Sequence, residues 1–178
     1  MHALSTTMTA LADEKIFTRL LEQHAGIIRK VALGYTRTFA DREDLNQEIT
    51  LQLWRAFPRY SSDRPFSTWM YRVALNVAIS FLRRHTHPVR QTEPLEEHEF
   101  ADENAQAAET DERIPLLKQV IASLAPLDRG LMLLYLEDHS YREIAAVLGL
   151  TETNVATKLN RLKQRVHAEM LKLNCQHL

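Results

Sequence analysis

Near its C-terminus the sequence places polar and basic side chains at spacings that bring them onto one face of a helix. They are Thr153, Asn154, Thr157, Lys158, Arg161 and Arg165. At about 100° per residue these positions share one side, while Val155, Leu159, Leu162 and Val166 form the neighbouring apolar stripe. Amide and hydroxyl groups can hydrogen-bond base edges, and cations can meet phosphates or guanine. This face is therefore predicted to contact the major groove of DNA, with a plain solvated helix face as the alternative.

A second stripe of candidate binding residues lies in the N-terminal half. Arg72, Asn76 and Arg83 fall within about 40° of one another on a predicted helix that ends near Arg84. Trp69 stands at the border between this stripe and the apolar side. Basic residues and an amide beside an aromatic ring suit a single-stranded or duplex-backbone nucleic acid. A solvated face would show the same pattern, and Trp69 alone is more often a core residue.

The helix that carries the polar and basic residues from Thr153 to Arg165 belongs to a segment with the sequence pattern of a helix-turn-helix. Ser140 and Glu143 have the spacing of a capping box, and Gly149 can end the helix that they begin. Thr151 can then cap the next helix. We therefore expect a helix-turn-helix whose second helix, over 152–166, presents the polar face.

The remaining positioning elements are also predicted to be helices. Four glycines and six prolines among 178 residues leave long segments without breakers, which favours an all-α protein. Apolar periodicity predicts one or two helices over Lys15–Thr38, helices over Asp41–Phe57 and Phe66–Arg84, and two short helices that begin near Arg113 and at Pro126. Pro58–Pro65 is predicted to be a loop. Phe66, Trp69, Met70, Val73, Val77 and Phe81 are expected to mark the buried side of the 66–84 helix.

The net charge of -1 is the sum of three unlike segments. Residues 1–90 carry 13 basic and 8 acidic residues, and residues 113–178 carry 9 and 6. Between them, Gln91–Glu112 holds nine acidic residues and no Lys or Arg. This segment is poor in large apolar residues, so we expect a mobile linker between two basic domains. It serves either as a solubilising tether or as an anionic strand that occupies a nucleic-acid channel until the ligand arrives.

Membrane insertion and secretion are not supported by the sequence. The uncharged runs Met1–Ala12 and Val73–Leu82 are shorter than the ~20 apolar residues of a membrane span. The N-terminus lacks the features of a signal peptide. We expect a cytoplasmic protein without membrane insertion.

Metal and cofactor chemistry is not expected. Cys175 is solitary and can close no intrachain disulfide or structural zinc site. His85, His87, His98 and Glu97 could be imagined as a metal site, but they have no i, i+4 pairing on one rigid element. Titratable surface residues are therefore the favoured interpretation, and no cofactor or metal is predicted.

Seven short segments together match a known family in order and spacing. They are DREDLNQEI from Asp41, LWR from Leu53, FSTW from Phe66, ALNVAI from Ala74, LRR from Leu82, LAPLDR from Leu124 and SYREIAAVLG from Ser140. The first five resemble region 2, and the last two resemble region 4, of the bacterial RNA polymerase sigma factors. The chain resembles in particular the compact extracytoplasmic-function (ECF) group of the sigma-70 family.

The resemblance implies two small helical domains and a function without catalysis. Residues 1–90 would form region 2, 91–112 the acidic linker and 113–178 region 4 with its helix-turn-helix. The protein would bind the β′ and β subunits of the RNA polymerase core, recognise the -10 and -35 elements of promoter DNA and assist melting. An anti-sigma factor is a further expected partner.

The resemblance also implies roles for individual residues. Asp44, Leu45, Gln47 and Glu48 would contact the clamp helices of β′. Trp69, Arg72, Asn76, Arg83 and Arg84 would contact the -10 element, with the 58–65 loop helping to hold a flipped base. Thr153, Asn154, Thr157, Lys158, Arg161 and Arg165 would read the -35 element. The alternative is a helix-turn-helix regulator that acts without the polymerase core, which leaves the pattern from Asp41 to Trp54 unexplained.

Overall fold

A computed structural model of the protein describes residues 14–85 and 113–176, where it forms eight α-helices and one 3-10 turn. The α-helices are α1 (14–23), α2 (Ala25–Tyr35), α3 (Phe39–Ala56), α4 (Phe66–His85), α5 (Arg113–Ala122), α6 (Pro126–Leu136), α7 (Tyr141–Leu148) and α8 (Glu152–Gln176). The 3-10 turn, Phe57–Arg59, follows α3. The predicted all-α class is confirmed. The proposed acidic linker, His87, Glu97 and His98 lie outside the described residues.

The chain divides into two compact units between Phe81 and Leu82, in the last part of α4. Unit 1 contains α1 to α3 and most of α4, and unit 2 contains α5 to α8. Among the described helices, none is both long enough and apolar enough to span a membrane.

The helices of unit 1 share an apolar core. Leu45, Ile49 and Leu53 of α3 follow an i, i+4 stripe and are completely buried. Thr38 precedes α3, and its hydroxyl accepts a hydrogen bond from the Asp41 backbone N–H at 3.0 Å. The helix therefore begins two residues before the predicted start at Asp41, since a capping hydroxyl is available there.

The buried side of α4 differs from the predicted one. Ala74 and Ala78 are completely buried, whereas Val73 and Val77 are only partly buried. Two alanines one turn apart therefore lie at the centre of the buried side. The spacing of the large apolar residues alone placed the centre of the buried side too near Val73 and Val77. The side chains of α4 that are buried are Phe66, Met70, Tyr71, Ala74, Leu75, Ala78, Ile79 and Phe81.

In unit 2, the predicted helix-turn-helix is present with its caps. The Ser140 backbone N–H donates to Glu143 Oε2 at 2.8 Å, and the Glu143 backbone N–H donates to Ser140 Oγ at 3.3 Å. Gly149 ends α7 at φ 68°, a left-handed conformation that favours glycine. Thr151 Oγ1 then accepts a hydrogen bond from the Asn154 backbone N–H at 3.2 Å. The capping box fixes the start of α7, and the Gly149 conformation and the Thr151 cap define the turn between α7 and α8.

Helix α8 packs against α5, α6 and α7, and it is the longest helix described. Val155, Leu159, Leu162 and Val166 supply its buried stripe, as predicted. The helix continues ten residues beyond the predicted end at 166, to Gln176. No glycine or proline follows residue 166 to stop it.

Candidate functional site

The polar face predicted on α8 is presented to solvent. Thr153, Asn154, Thr157, Arg161 and Arg165 are exposed. The Thr157 hydroxyl donates to the Thr153 carbonyl at 2.9 Å, which leaves its oxygen lone pairs facing outward as acceptors. The structure therefore brings these side chains together on one side of a helix whose opposite side is buried.

Two lysines of α8 contact side chains of α6. Lys158, the sixth member of the predicted face, is partly buried, and its Nζ lies 3.9 Å from Asp128 Oδ1. Lys163 lies 4.2 Å above the centre of the Tyr135 ring. A hydrogen bond with the Tyr135 side chain raises the pKa of Lys163 above its ordinary value of 10.5. The raised pKa favours the charged form of Lys163, and Lys158 lies at the edge of the polar face.

The predicted stripe of α4 is also exposed. Arg72, Asn76, Arg83 and Arg84 all lie at the surface, and the Ser80 hydroxyl donates to the Asn76 carbonyl at 2.9 Å. An amide and several guanidinium groups on one exposed helix suit a polyanionic ligand.

Trp69 belongs to an aromatic cluster that connects α4 to the preceding loop. Its ring centre lies 5.1 Å from that of Tyr60 and 5.2 Å from that of Phe66. Tyr60 also donates its hydroxyl hydrogen to the Arg64 carbonyl at 3.0 Å. The cluster therefore fixes the 60–65 loop beside the α4 stripe. The prediction from sequence omitted Tyr60, although aromatic residues at both ends of a short loop could have indicated the contact.

The residues predicted on α3 divide between surface and core. Asp44 and Gln47 are exposed and Glu48 is partly exposed, so they can meet a partner. Leu45 is 0% exposed and packs within unit 1. Its predicted contact with a partner is therefore wrong, because the same i, i+4 stripe that defines α3 places Leu45 in the core.

An apolar surface beside Gln47 was missed by the prediction. Leu51 is 46% exposed and Trp54 is 41% exposed. Together with Phe17 of α1, which meets the Trp54 ring edge-on at 5.1 Å, they line a groove of about 540 Å³ between α1 and α3. Leu51 lies outside the buried stripe of α3, and an apolar residue off that stripe was the available signal for an exposed apolar surface.

Two family models match successive parts of the chain. The model of Sigma-70 region 2 matches residues 20–87, and the model of Sigma-70, region 4 matches residues 115–166. The first match covers α2 to α4, and the second covers most of α5, all of α6 and α7, and the first part of α8.

Curated relatives carry the same family name. The RNA polymerase sigma factor CnrH of Cupriavidus metallidurans is 27% identical over 172 residues, which cover 89% of this chain and 88% of the relative. The ECF RNA polymerase sigma-E factor of Escherichia coli is 26% identical, with 86% of each chain covered. The chain spans 42% of the length of another relative, the probable RNA polymerase sigma factor RfaY of Xanthomonas campestris, at 27% identity.

Solved structures show the same fold. The sigma factor RpoE in complex with the anti-sigma factor NepR from Bartonella quintana has a TM-score of 0.70 at 21% identity, and covers 89% of this chain and 98% of that one. CnrH in complex with the cytosolic domain of CnrY has a TM-score of 0.62 at 21% identity, with 94% of each chain covered.

The chain therefore belongs to the sigma-70 family of RNA polymerase sigma factors, in its ECF group. Proteins of this family are transcription factors rather than catalysts, and they act with RNA polymerase in promoter-specific initiation.

Proposed function

We propose that this chain binds the RNA polymerase core and directs initiation by contacting the -10 element through helix α4 and the loop before it, and the -35 element through helix α8 of unit 2. The observation that carries the proposal is the occurrence, in one chain and in order, of region 2 and a region 4 with a capped helix-turn-helix. The proposed domains are residues 1–90, 91–112 and 113–178.

The core-binding surface lies on the exposed side of α3. Asp44, Gln47 and Glu48 supply its polar contacts, and Leu51 and Trp54 add the apolar area that the family resemblance alone did not indicate. An apolar centre with a polar rim is the usual anatomy of a protein–protein interface. Aromatic side chains at such a centre contribute strongly to binding, and Trp54 is suited to this role.

The -10 surface combines the α4 stripe with the aromatic cluster. Arg72, Asn76, Arg83 and Arg84 contact the sugar-phosphate backbone and base edges of the opened strand. Trp69 and Tyr60 present aromatic rings beside that stripe, against which an unstacked base can pack. Because base–aromatic stacking offsets part of the unpairing cost, this arrangement assists melting.

The -35 surface is the exposed face of α8. Thr153, Asn154, Thr157, Lys158, Arg161 and Arg165 enter the major groove, as the second helix of a helix-turn-helix does. The N-terminal residues of this face address bases, and Arg165, three turns along the helix, addresses phosphate.

An anti-sigma factor is part of the proposal. Both similar solved structures contain a sigma factor bound to a second protein, and in the RpoE structure this protein is named an anti-sigma factor. The exposed apolar groove between α1 and α3 is a surface that such a protein could cover, in competition with the core. The proposed site of action is the cytoplasm, where polymerase and chromosomal DNA are found.

The test is reconstitution with purified core polymerase. The full chain should co-elute with core in gel filtration, and the reconstituted holoenzyme should start transcription from a subset of promoter fragments that core alone does not use. A chain that binds duplex DNA by itself but neither co-elutes with core nor stimulates initiation would overturn the proposal in favour of a regulator that acts without core.

A further inference from the structure

An ion pair joins the proposed recognition helix to the helix that precedes the helix-turn-helix. Lys158 Nζ of α8 lies 3.9 Å from Asp128 Oδ1 of α6. A second pair on α8, Lys172 with Glu169 at 3.0 Å, lies within one helical turn and is set by sequence spacing. The pair of Lys158 with Asp128 crosses between two helices, so the tertiary fold determines it.

Asp128 is held on a rigid backbone. It lies in the first turn of α6, two residues after Pro126, whose ring fixes φ. The next residue, Arg129, is buried, and its guanidinium donates to the Ala122 and Leu124 carbonyls at the end of α5. Because Pro126 and Arg129 restrain the backbone on either side and the Asp128 side chain is only 24% exposed, the carboxylate has few alternative positions.

Lys158 is held at its base and exposed at its tip. Val155 and Leu159, on either side of it along α8, are completely buried and fix the helix against α6 and α7. The Lys158 side chain is 42% exposed and lies at the edge of the polar face. A lysine has a flexible four-carbon stem, so an unrestrained ammonium in this position could swing to the nearest phosphate.

We propose that Asp128 is a positioning residue for specificity, which restrains the Lys158 ammonium so that it addresses a guanine edge in the -35 element instead of the DNA backbone. This inference rests on the proposed reading of the -35 element by α8. Guanine presents two acceptors, O6 and N7, in the major groove, and a lysine ammonium is one of the groups that pair with them. The Asp128 carboxylate also repels phosphates, so it disfavours the backbone contact that would compete with the base contact.

The test uses holoenzyme assembled from the full chain and purified core. Its binding to a duplex library with a randomised -35 element gives the base preference at each position, and affinity measured at several salt concentrations gives the salt slope. Asp128→Asn should reduce the preference for guanine at one position by about tenfold, since a good base contact contributes discrimination of that order. The released lysine should gain a phosphate contact and steepen the slope of log affinity against log salt by about 0.9.

Matched variants separate positioning from a general charge effect. Glu152→Gln removes one carboxylate from the exposed first turn of the same recognition helix and should leave the guanine preference unchanged. Asp128→Glu retains the charge and should recover most of the preference. Lys158→Ala should lose the same preference, and adding Asp128→Asn to it should not reduce the preference further.

Several results would overturn the inference. One is an unchanged base preference in Asp128→Asn, and another is an equal effect of Asp128→Asn with and without Lys158. If wild-type holoenzyme initiates transcription but selects no sequence at the -35 element, the proposed reading by α8 fails together with this inference. If wild type selects a sequence and Asp128→Asn selects the same one, only the inference fails.

Discussion

Units 1 and 2 are both small helical assemblies, but helix α3 of unit 1 and helix α8 of unit 2 carry opposite net charge. Helix α3 of unit 1 has four acidic and two basic residues, and its surface includes the exposed apolar side chains Leu51 and Trp54. Helix α8 of unit 2 has five basic and two acidic residues, with amide and hydroxyl groups on its exposed face. An acidic and apolar surface suits a protein partner, whereas a basic and polar surface suits DNA. Both surfaces are formed by helices, and the residues outside the buried stripe of each helix determine which kind of partner it suits.

The two units also position their exposed helices differently. In α3, the buried stripe of Leu45, Ile49 and Leu53 sets which residues face outward. In α8, the left-handed Gly149 and the Thr151 cap define the turn from which the helix starts. Unit 2 therefore adds a defined turn to the side-chain packing that both units use.

The largest effects are expected from substitutions in the two cores. Leu159→Ala and Leu53→Ala each remove a completely buried side chain and should lower the free energy of unfolding by about 2–5 kcal/mol. Leu159→Ala should abolish preference at the -35 element while core binding persists, and Leu53→Ala should weaken core binding. Calorimetry and co-elution with core measure these effects. Equal loss of both activities in both variants would contradict the division of labour between the units.

Reversing charge on the acidic helix should give the next largest effect. Asp44→Arg combined with Glu48→Arg should weaken association with core by about tenfold or more, because like charges then meet across a complementary interface. Helical content, measured by circular dichroism, should not change. Glu22→Arg, at an exposed position of α1, is the control and should bind core like wild type. Unchanged affinity of the double variant would remove α3 from the proposed core interface.

Two substitutions on the basic helix should separate specificity from affinity. Asn154→Ala should relax base preference within the -35 element, at a cost of about 1–3 kcal/mol in discrimination. Arg165→Ala should weaken binding to all sequences about equally and reduce the magnitude of the salt slope by about 0.9, because one phosphate contact is lost. Affinities for -35 variants at several salt concentrations measure both quantities. Identical, uniform losses would mean that this helix does not read sequence.

The smallest effect concerns pH and the cap of α7. Hydrogen bonds from Ser140 lower the pKa of Glu143 below its ordinary value of 4.5. Ionised Glu143 therefore contributes stability above pH 4.5, and this contribution is lost as pH falls through the lower folded-state pKa. The side chain is 52% exposed, so solvent screening limits the effect to a fraction of the about 1 kcal/mol typical of a cap.

Melting temperatures between pH 3 and pH 7 measure this contribution. Glu143→Gln should show a weaker acid dependence than wild type, because glutamine keeps the capping geometry without a charge. The cap of α3 uses the Thr38 hydroxyl, which does not titrate in this range, and Thr38→Val should leave the acid dependence unchanged. An identical acid dependence in wild type and Glu143→Gln would show that the charge of Glu143 does not stabilise α7.

Features that depend on neighbouring residues along the chain could be predicted from the sequence. The capping box of Ser140 and Glu143, the turn at Gly149 and the polar face of α8 all follow from local hydrogen bonding and a period of 3.6 residues. The order of the family's segments then indicated regions 2 and 4. These signals were sufficient for the fold class, the family and most of the candidate surface residues.

Features that depend on contacts between helices were decided only by the tertiary structure. The shift of the buried side of α4 towards Ala74 and Ala78 was not indicated by the spacing of the large apolar residues, because the burial of a small alanine depends on what packs against it. The pair of Lys158 with Asp128 joins residues thirty positions apart in the chain. No local pattern could indicate that pair, because its distance is set by the packing of α8 on α6.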